Sequence, residues 1–139
     1  MASAQPARQP LETAMEFIKR INSGNANSVC ELMTEDHIFQ DALGKRLLGR
    51  DRVREGWTAY FKVISGYQIH AEEFFQTDDR LAIFGTASGN YAGDGAKSAG
   101  KFWKVPAAWR AVVRDGLIAE WRVYADNQPL RNLMDERVP

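Results

Sequence analysis

Hydrophobic and polar residues alternate strictly between residues 101 and 126, on both sides of the turn Arg114-Asp115-Gly116. A period of two is typical of strands that bury one face, and Asp-Gly between two such runs indicates a tight hairpin. Three tryptophans on one face can fill a core or line a pocket for a small apolar molecule, and the pattern leaves both interpretations open. The odd positions are all apolar: Trp103, Val105, Ala107, Trp109, Ala111 and Val113, then Leu117, Ala119, Trp121, Val123 and Ala125.

Apolar residues follow a helical spacing in the first half of the chain. They recur every three or four positions from Leu11 to Ile21, at Leu11, Ala14, Met15, Ile18 and Ile21, and Ser23-Gly24 ends this first helix. A third helix runs from Gly49 to Gly66, with Trp57 and Tyr60 on its apolar face, where core packing is the ordinary interpretation. Between these two, a short second helix carries Val29, Cys30, Leu32 and Met33.

Strands occupy the rest of the chain. The pattern predicts a short strand from His37 to Asp41, and a hairpin of residues 67–77 and 80–91 that turns at Asp78-Asp79. A glycine-rich loop, residues 93–100, leads into the tryptophan-rich strands. Helices followed by long strands predict an α+β fold: a curved, mainly antiparallel sheet wrapped around helices, which enclose a conical hollow.

Size and charge limit the possible classes of protein. A chain of 139 residues predicts one domain, which we place at residues 11–134 after a disordered segment of residues 1–10. The net charge is zero, and no basic run is present, so we expect no nucleic-acid partner. No apolar run approaches the length of a membrane span, and residues 1–10 do not form a secretory signal. We therefore expect a cytoplasmic protein without a membrane partner.

Candidate metal and cofactor sites are missing from the sequence. The single cysteine, Cys30, cannot form an intrachain disulfide, and it is expected to be a small buried hydrophobe. The two histidines, His37 and His70, do not have the spacing of metal ligands. The loop of residues 93–100 has no phosphate-binding fingerprint. We expect neither a metal nor a cofactor.

Several short motifs resemble the nuclear transport factor 2-like superfamily, and within it the SnoaL-like polyketide cyclases and the ketosteroid isomerases. The most specific are Gly85 to Gly89, Gly100-Lys101, Val105-Pro106 and the run Asp-Gly-Leu-Ile-Ala-Glu-Trp at residues 115–121. The stretch from Glu35 to Gly44 is similar to the surroundings of the isomerase aspartate. The resemblance implies a cone-shaped fold, but this superfamily includes enzymes, binders and transport factors.

The resemblance to the isomerases implies that Asp41 is the general base. A carboxylate beside an apolar hollow is suited to accept a proton from a bound carbonyl compound. The two oxyanion-hole positions of the isomerases fall on Phe17, which has no hydroxyl, and on Trp109, which is not a carboxylic acid. Because one lost donor costs about 100- to 1000-fold in rate, ordinary steroid isomerase activity is not expected.

The resemblance to the cyclases implies a second candidate, Asp126, at the end of the last strand. Alternation puts Asp126 on the even face, away from the hollow, unless the strand ends or bulges near Ala125. Capping of the segment that follows, residues 127–134, is an equally good interpretation. Related epoxide hydrolases also need charged residues on a middle strand, and this chain has none between Arg80 and Asp94.

We predict an apolar cavity between the third helix and the odd face of the sheet. His37 shares its parity with Asp41 and could relay a proton, although a partly exposed strand histidine is the ordinary interpretation. Trp121 stands where many cyclases have a histidine, so an apolar wall replaces a polar group. The residues predicted to bind the substrate are Phe17, His37, Phe39, Trp57, Tyr60, Trp103, Trp109 and Trp121.

Three functions remain open at this point. The first is a cofactor-independent enzyme of isomerase, cyclase or lyase type, which uses Asp41 or Asp126 on a small apolar carbonyl compound. The second is a non-catalytic binder of an apolar ligand. The third is an interaction module whose pocket is filled by its own indoles.

The even face of the two long strands predicts a homodimer. We expect no helix to cover this face, and related proteins commonly dimerise through the corresponding sheet. Arg110 or Arg122 of one chain could meet Glu120 of its partner. The other residues expected on this face are Phe102, Ala108, Val112, Ile118 and Tyr124.

Overall fold

The computed structural model describes residues 8–91 and 101–135. Of the segment expected to be disordered, residues 1–7 lie outside these ranges. The predicted glycine-rich loop, residues 93–100, lies wholly outside them. The predicted α+β class is confirmed, because a curved sheet carries helices on its inner side. The elements are α1 (Pro10–Ser23), α2 (Ala26–Cys30), β1 (Met33–Gln40), β2 (Arg46–Leu48), α3 (Arg50–Val63), β3 (Ile64–Thr77), β4 (Arg80–Tyr91), β5 (Lys101–Arg114), β6 (Leu117–Ala125) and α4 (Gln128–Asp135).

The six strands of the described chain form one sheet in the order β2-β1-β6-β5-β4-β3. Only the β1–β6 pair is parallel, and every other pair is antiparallel. As a result, β1 and β3 lie on opposite sides of the sheet, with three strands between them. Curvature brings these two sides toward each other across the concave face, where α1 and α3 pack.

The hairpin between β5 and β6 has the predicted turn. Asp115 and Gly116 both have positive φ angles, of 54° and 74°. Two consecutive residues with positive φ match the right-handed twist of the flanking strands, which explains the Asp-Gly sequence. The β3–β4 hairpin likewise turns at Asp78 and Asp79, as predicted.

The buried stripe of α1 differs from the predicted one. Ala14, Phe17, Ile18 and Ile21 are buried, whereas Leu11 and Met15 are exposed, Met15 by 53%. Residues spaced by three and four positions lie on one side of a helix, and the sheet selects the stripe that includes Phe17. Met15 lies outside that stripe and faces water.

Several predicted element boundaries are wrong. Met33 begins β1 rather than ending the second helix, so this strand is longer than the predicted run from His37. Helix α3 ends at Val63 and passes directly into β3, without reaching Gly66. The sequence pattern predicts neither β2 nor α4. The last helix contacts β4 and β5, and Leu130 and Leu133 pack against the core.

A β-bulge in β6 changes the side on which Ile118 lies. Val112 pairs with Glu120, but Val113 pairs with Ile118, so Ala119 is an additional residue. Ile118 is therefore completely buried, while Leu117 and Ala119 are only half-buried. The expectation that Ile118 belongs to the outer face is wrong, because strict alternation does not continue through a bulge.

Candidate functional site

A cavity of about 280 Å³ lies between α3, the loop that follows β1 and the concave face of the sheet. Its wall is mainly apolar and aromatic. The residues that line it are Phe39, Asp41, Ala42, Leu43, Leu47, Val53, Gly56, Trp57, Tyr60, Tyr67, Ala87, Trp103, Val123, Ala125 and Asn127.

Asp41 lies at the rim of the cavity, directly after β1. Its Oδ1 atom accepts hydrogen bonds from the backbone N–H groups of Leu43 and Lys45, both at 2.9 Å. These two bonds, together with a backbone bond from Asp41 N–H to the Lys45 carbonyl, hold the carboxylate in one orientation. Its Oδ2 atom makes no hydrogen bond with the described residues. Asp41 is also the one charged side chain among the described residues of the lining.

A row of aromatic rings forms the wall under α3. Phe39 lies 5.8 Å from Trp57, measured between ring centroids, and Trp57 lies 6.4 Å from Tyr67. The row continues from Tyr67 to Trp103, at 6.1 Å. Tyr60 meets Tyr67 edge-on, with 5.2 Å between the centroids and an angle of 90° between the rings. This row extends from the Asp41 side of the sheet to the β3 side.

Four residues of this wall carry hydrogen-bond donors that lack acceptors among the described residues. The Nε1 atoms of Trp57 and Trp103 are buried and have no hydrogen-bond partner in the described part of the chain. The hydroxyl groups of Tyr60 and Tyr67 make no hydrogen bond within the described part of the chain. Burial raises the pKa of both tyrosines well above the usual value, because the charged form would be poorly solvated. Both therefore remain protonated donors at neutral pH.

Three of the predicted pocket residues belong to the solid core instead. Trp109 and Trp121 are almost completely buried, and their rings stack at 6.5 Å. Phe17 of α1 packs its edge on Trp121 at 4.9 Å. None of the three lines the cavity, because α1 fills this part of the concave face. The expected cavity lining holds for Phe39, Trp57, Tyr60 and Trp103 only.

His37 is completely buried beside Phe17, so the expectation of a partly exposed side chain is wrong. Its Nδ1–H donates to the backbone carbonyl oxygen of Ile118 at 2.7 Å. The Nε2 atom is buried without a donor in the described structure. Desolvation lowers the pKa of His37 to about 4, so the ring is neutral at pH 7. His37 does not line the cavity.

Asp126 is exposed and lies outside the cavity lining, although its neighbours Ala125 and Asn127 contribute to it. Its Oδ1 atom accepts a hydrogen bond from the backbone N–H of Gln128 at 3.0 Å, at the beginning of α4. This geometry corresponds to capping, one of the two interpretations drawn from the sequence. The bulge in β6 occurs at Ala119, too early to turn Asp126 inward.

The sequence profile of the SnoaL-like domain family matches residues 14–121. The chain belongs to this family. The resemblance inferred from the short motifs is thus confirmed. A comparison with curated proteins finds no match.

Solved structures share the fold of this SnoaL-like protein. A protein from Shewanella denitrificans OS-217, described as a candidate SnoaL-like polyketide cyclase, has a TM-score of 0.80 and 12% identity, covering 91% of this chain and 97% of its own. IdmH from Streptomyces antibioticus, described as a candidate polyketide cyclase, has a TM-score of 0.75 and 22% identity, covering 91% and 99%. A protein with a ketosteroid isomerase-like fold from Catenulispora acidiphila DSM 44928, solved with trimethylamine, has a TM-score of 0.72 and 21% identity, covering 85% and 88%. At these identities the likeness shows the fold.

Sequence reasoning missed two important parts of the SnoaL-like cavity. Tyr67 shares its parity with the buried Ile69, and this alternation on β3 could have identified it. Leu47 belongs to β2, a strand of three residues that is too short to produce a pattern. Within residues 8–91 and 101–135, no three His, Cys, Asp or Glu side chains are grouped as metal ligands. No helix in these ranges is both long and apolar enough to cross a membrane.

Proposed function

We propose that this SnoaL-like protein is a cofactor-independent enzyme that transfers a proton on a small apolar carbonyl compound, with Asp41 as the general base. The supporting observation is that, among the described residues, one carboxylate lies on a mainly apolar and aromatic cavity wall, and its Oδ2 atom makes no hydrogen bond with them. Ligand pockets commonly measure roughly 300–1,000 Å³, so a cavity of about 280 Å³ suits a compound of one or two rings.

The proposed reaction begins with the removal of a proton from the carbon next to the carbonyl group. Asp41 Oδ2 takes this proton, and the electron pair of the C–H bond forms a carbon–carbon double bond. The π electrons of the carbonyl group move to its oxygen, which gives an enolate. Asp41 then returns the proton to a carbon atom of the ligand, so the net reaction consumes no other reactant.

The proposal can be tested without knowledge of the natural substrate. In D₂O, a general base exchanges the acidic hydrogens of a ketone, and NMR follows this exchange on 2-tetralone, a two-ring ketone. We expect catalysed exchange by the wild-type protein and a rate about 100-fold lower for Asp41→Asn, which keeps the shape but removes the base. Glu73→Gln is the control, because it removes an exposed carboxylate from β3.

Two outcomes would contradict this assignment. Unchanged exchange by Asp41→Asn, together with loss of exchange in Asp126→Asn, would identify Asp126 as the general base. Exchange no faster than in buffer, together with saturable binding of 2-tetralone, would favour the second candidate function, a non-catalytic binder.

One observation favours this second candidate. The bonds from Leu43 and Lys45 to Asp41 are sufficient to explain an aspartate at this turn. A binder requires only the apolar cavity, which both functions share. The third interpretation, a module filled by its own indoles, is less well supported, because Trp109 and Trp121 fill the core beside the cavity and not the cavity itself.

A further inference from the structure

The polar groups of the cavity are distributed unevenly. Asp41 follows β1 on one side of the sheet, whereas Tyr67 belongs to β3 on the other, with three strands between them. Tyr60 extends from the last turn of α3 and meets Tyr67 edge-on at 5.2 Å. The cavity therefore has an acceptor on one wall and a pair of neutral donors on the opposite wall.

The hydroxyl groups of Tyr60 and Tyr67 make no hydrogen bond within the described structure, but they are not among its fully enclosed unpaired groups, whereas the indole N–H groups of Trp57 and Trp103 are. A buried polar group without a partner costs about 1–3 kcal/mol. A purely hydrocarbon ligand would displace water from the two hydroxyl groups and leave them unpaired. A ligand with an acceptor oxygen at this wall would satisfy them.

We propose that Tyr60 and Tyr67 donate hydrogen bonds to an oxygen of the ligand, and that the cavity therefore selects apolar compounds with a carbonyl or enolate oxygen at the β3 wall. This inference rests on the proposed function, since it concerns the same cavity. Phe17 and Trp109, the oxyanion-hole positions implied by the resemblance, are buried in the core. In this proposal Tyr60 of α3 and Tyr67 of β3 take their role as donors.

Unpaired donors alone are not sufficient for this assignment. Trp109 and Trp121 also have buried indole N–H groups without acceptors, and neither lines the cavity. Tyr60 and Tyr67 combine an unpaired donor with a position on the cavity wall, and their hydroxyl groups are not fully enclosed, unlike the indole N–H groups of Trp57 and Trp103 on the same wall. Burial is the main cause of the raised pKa of both tyrosines, with Tyr60 as a smaller cause for Tyr67.

A matched pair of ligands tests the role of the hydroxyl groups. 2-Tetralone and the hydrocarbon tetralin have the same ring skeleton, but only the ketone has an acceptor oxygen. Dissociation constants come from titrations of ¹⁵N-labelled protein, followed by its amide and indole signals. We expect Tyr60→Phe and Tyr67→Phe each to weaken binding of 2-tetralone about 5- to 10-fold and to leave tetralin binding unchanged.

Tyr124→Phe is the control, because it deletes a hydroxyl from an exposed tyrosine on β6, outside the cavity. It should change binding of neither ligand. Equal losses for both ligands, or no loss for 2-tetralone, would overturn the inference while the cavity remains a binding site. Failure of both ligands to bind the wild-type protein would overturn the proposed function and this inference together.

A measurement on the wild-type protein tests the same hydrogen bonds without depending on whether the variants fold. The infrared stretching band of ¹³C-labelled carbonyl in bound 2-tetralone should lie at a lower wavenumber than in an alkane solvent, because hydrogen bonds weaken the C=O bond. A bound ketone with the frequency found in the alkane would contradict donation by Tyr60 and Tyr67.

Discussion

At the residue scale, His37 is buried in the core and does not reach the cavity. A histidine on a strand beside a catalytic candidate invites a proton-relay role, but its ring lies in the core against Phe17. Its only hydrogen bond in the described structure goes to the Ile118 carbonyl. Because that oxygen can only accept, Nδ1 carries the proton, and Nε2 is left as a buried acceptor.

The free energy of unfolding should depend on pH through His37. Its pKa is about 4 in the folded protein and about 6.5 when unfolded. Between these values the unfolded chain binds a proton that the folded protein does not, so stability falls as the pH decreases from 6.5 to 4. The contribution lost over this window is about 3 kcal/mol. Asp36 and Glu120 oppose the shift electrostatically, but desolvation is the larger cause.

Urea denaturation at several pH values measures this contribution. His37→Gln cannot titrate, so its stability should decline less steeply than that of the wild-type protein between pH 6.5 and 4. His70→Gln serves as the control, because His70 is exposed on β3. Equal slopes for His37→Gln and the wild-type protein would show that other groups govern acid stability.

At the element scale, irregularities in the strands decide which side chains face inward. The bulge at Ala119 moves Ile118 into the core, and a second bulge at Glu72 shifts the pairing of β3 with β4. Gly85 lies beside this second bulge and pairs with Ala71. A Cβ atom on Gly85 would overlap the backbone carbonyl oxygen of His70.

Gly85→Ala should therefore destabilise the protein by about 3 kcal/mol, because a backbone atom of a paired strand cannot move without loss of ladder hydrogen bonds. Gly56→Ala is the matched control, since its Cβ would meet only the Cδ1 atom of Leu47, at 2.8 Å. That side chain can shift, and alanine is favoured over glycine in a helix by about 1 kcal/mol. Chemical denaturation should show a clearly larger loss for Gly85→Ala, and equal losses would refute the backbone explanation.

At the scale of the whole molecule, the outer sheet face is mixed in character. Phe84, Phe102 and Tyr124 are exposed, Phe102 by 63%. Arg110 forms an ion pair with Glu120 of the same chain at 2.9 Å. The pairing of Arg110 or Arg122 with Glu120 of a partner stays a prediction. The Arg122 guanidinium lies 5.1 Å from the centre of the Tyr124 ring. An exposed apolar surface flanked by charges is typical of an interface.

We propose that the chain forms a homodimer through this face. Light scattering at micromolar concentration should give about twice the 15.7 kDa of one chain. Tyr124→Glu should separate the dimer, because it buries an unpaired charge, and should leave ligand binding in the cavity intact. Thr58→Glu adds the same charge to an exposed position of α3 and should not affect the mass. A wild-type mass near that of one chain would refute the dimer.

Features that depend on neighbouring residues follow from the amino-acid sequence alone. Alternation predicted the β5–β6 hairpin and its buried tryptophans, since the period of a strand is a local property of the backbone. The Asp115-Gly116 pair predicted the turn for the same reason. The short motifs predicted the family, and the profile match to residues 14–121 confirms it.

Contacts between distant parts of the chain determine which aromatic residues line the cavity. Trp103 and Trp109 occupy the same face of β5, so no sequence pattern distinguishes them. Helix α1 brings Phe17 onto the part of the sheet that contains Trp121, and this packing encloses Trp109 in the core. Around Trp103, α3 lies over the concave face with Trp57 and leaves a hollow. The curvature of the sheet and the positions of two helices, which depend on contacts far apart in the chain, separate core from site.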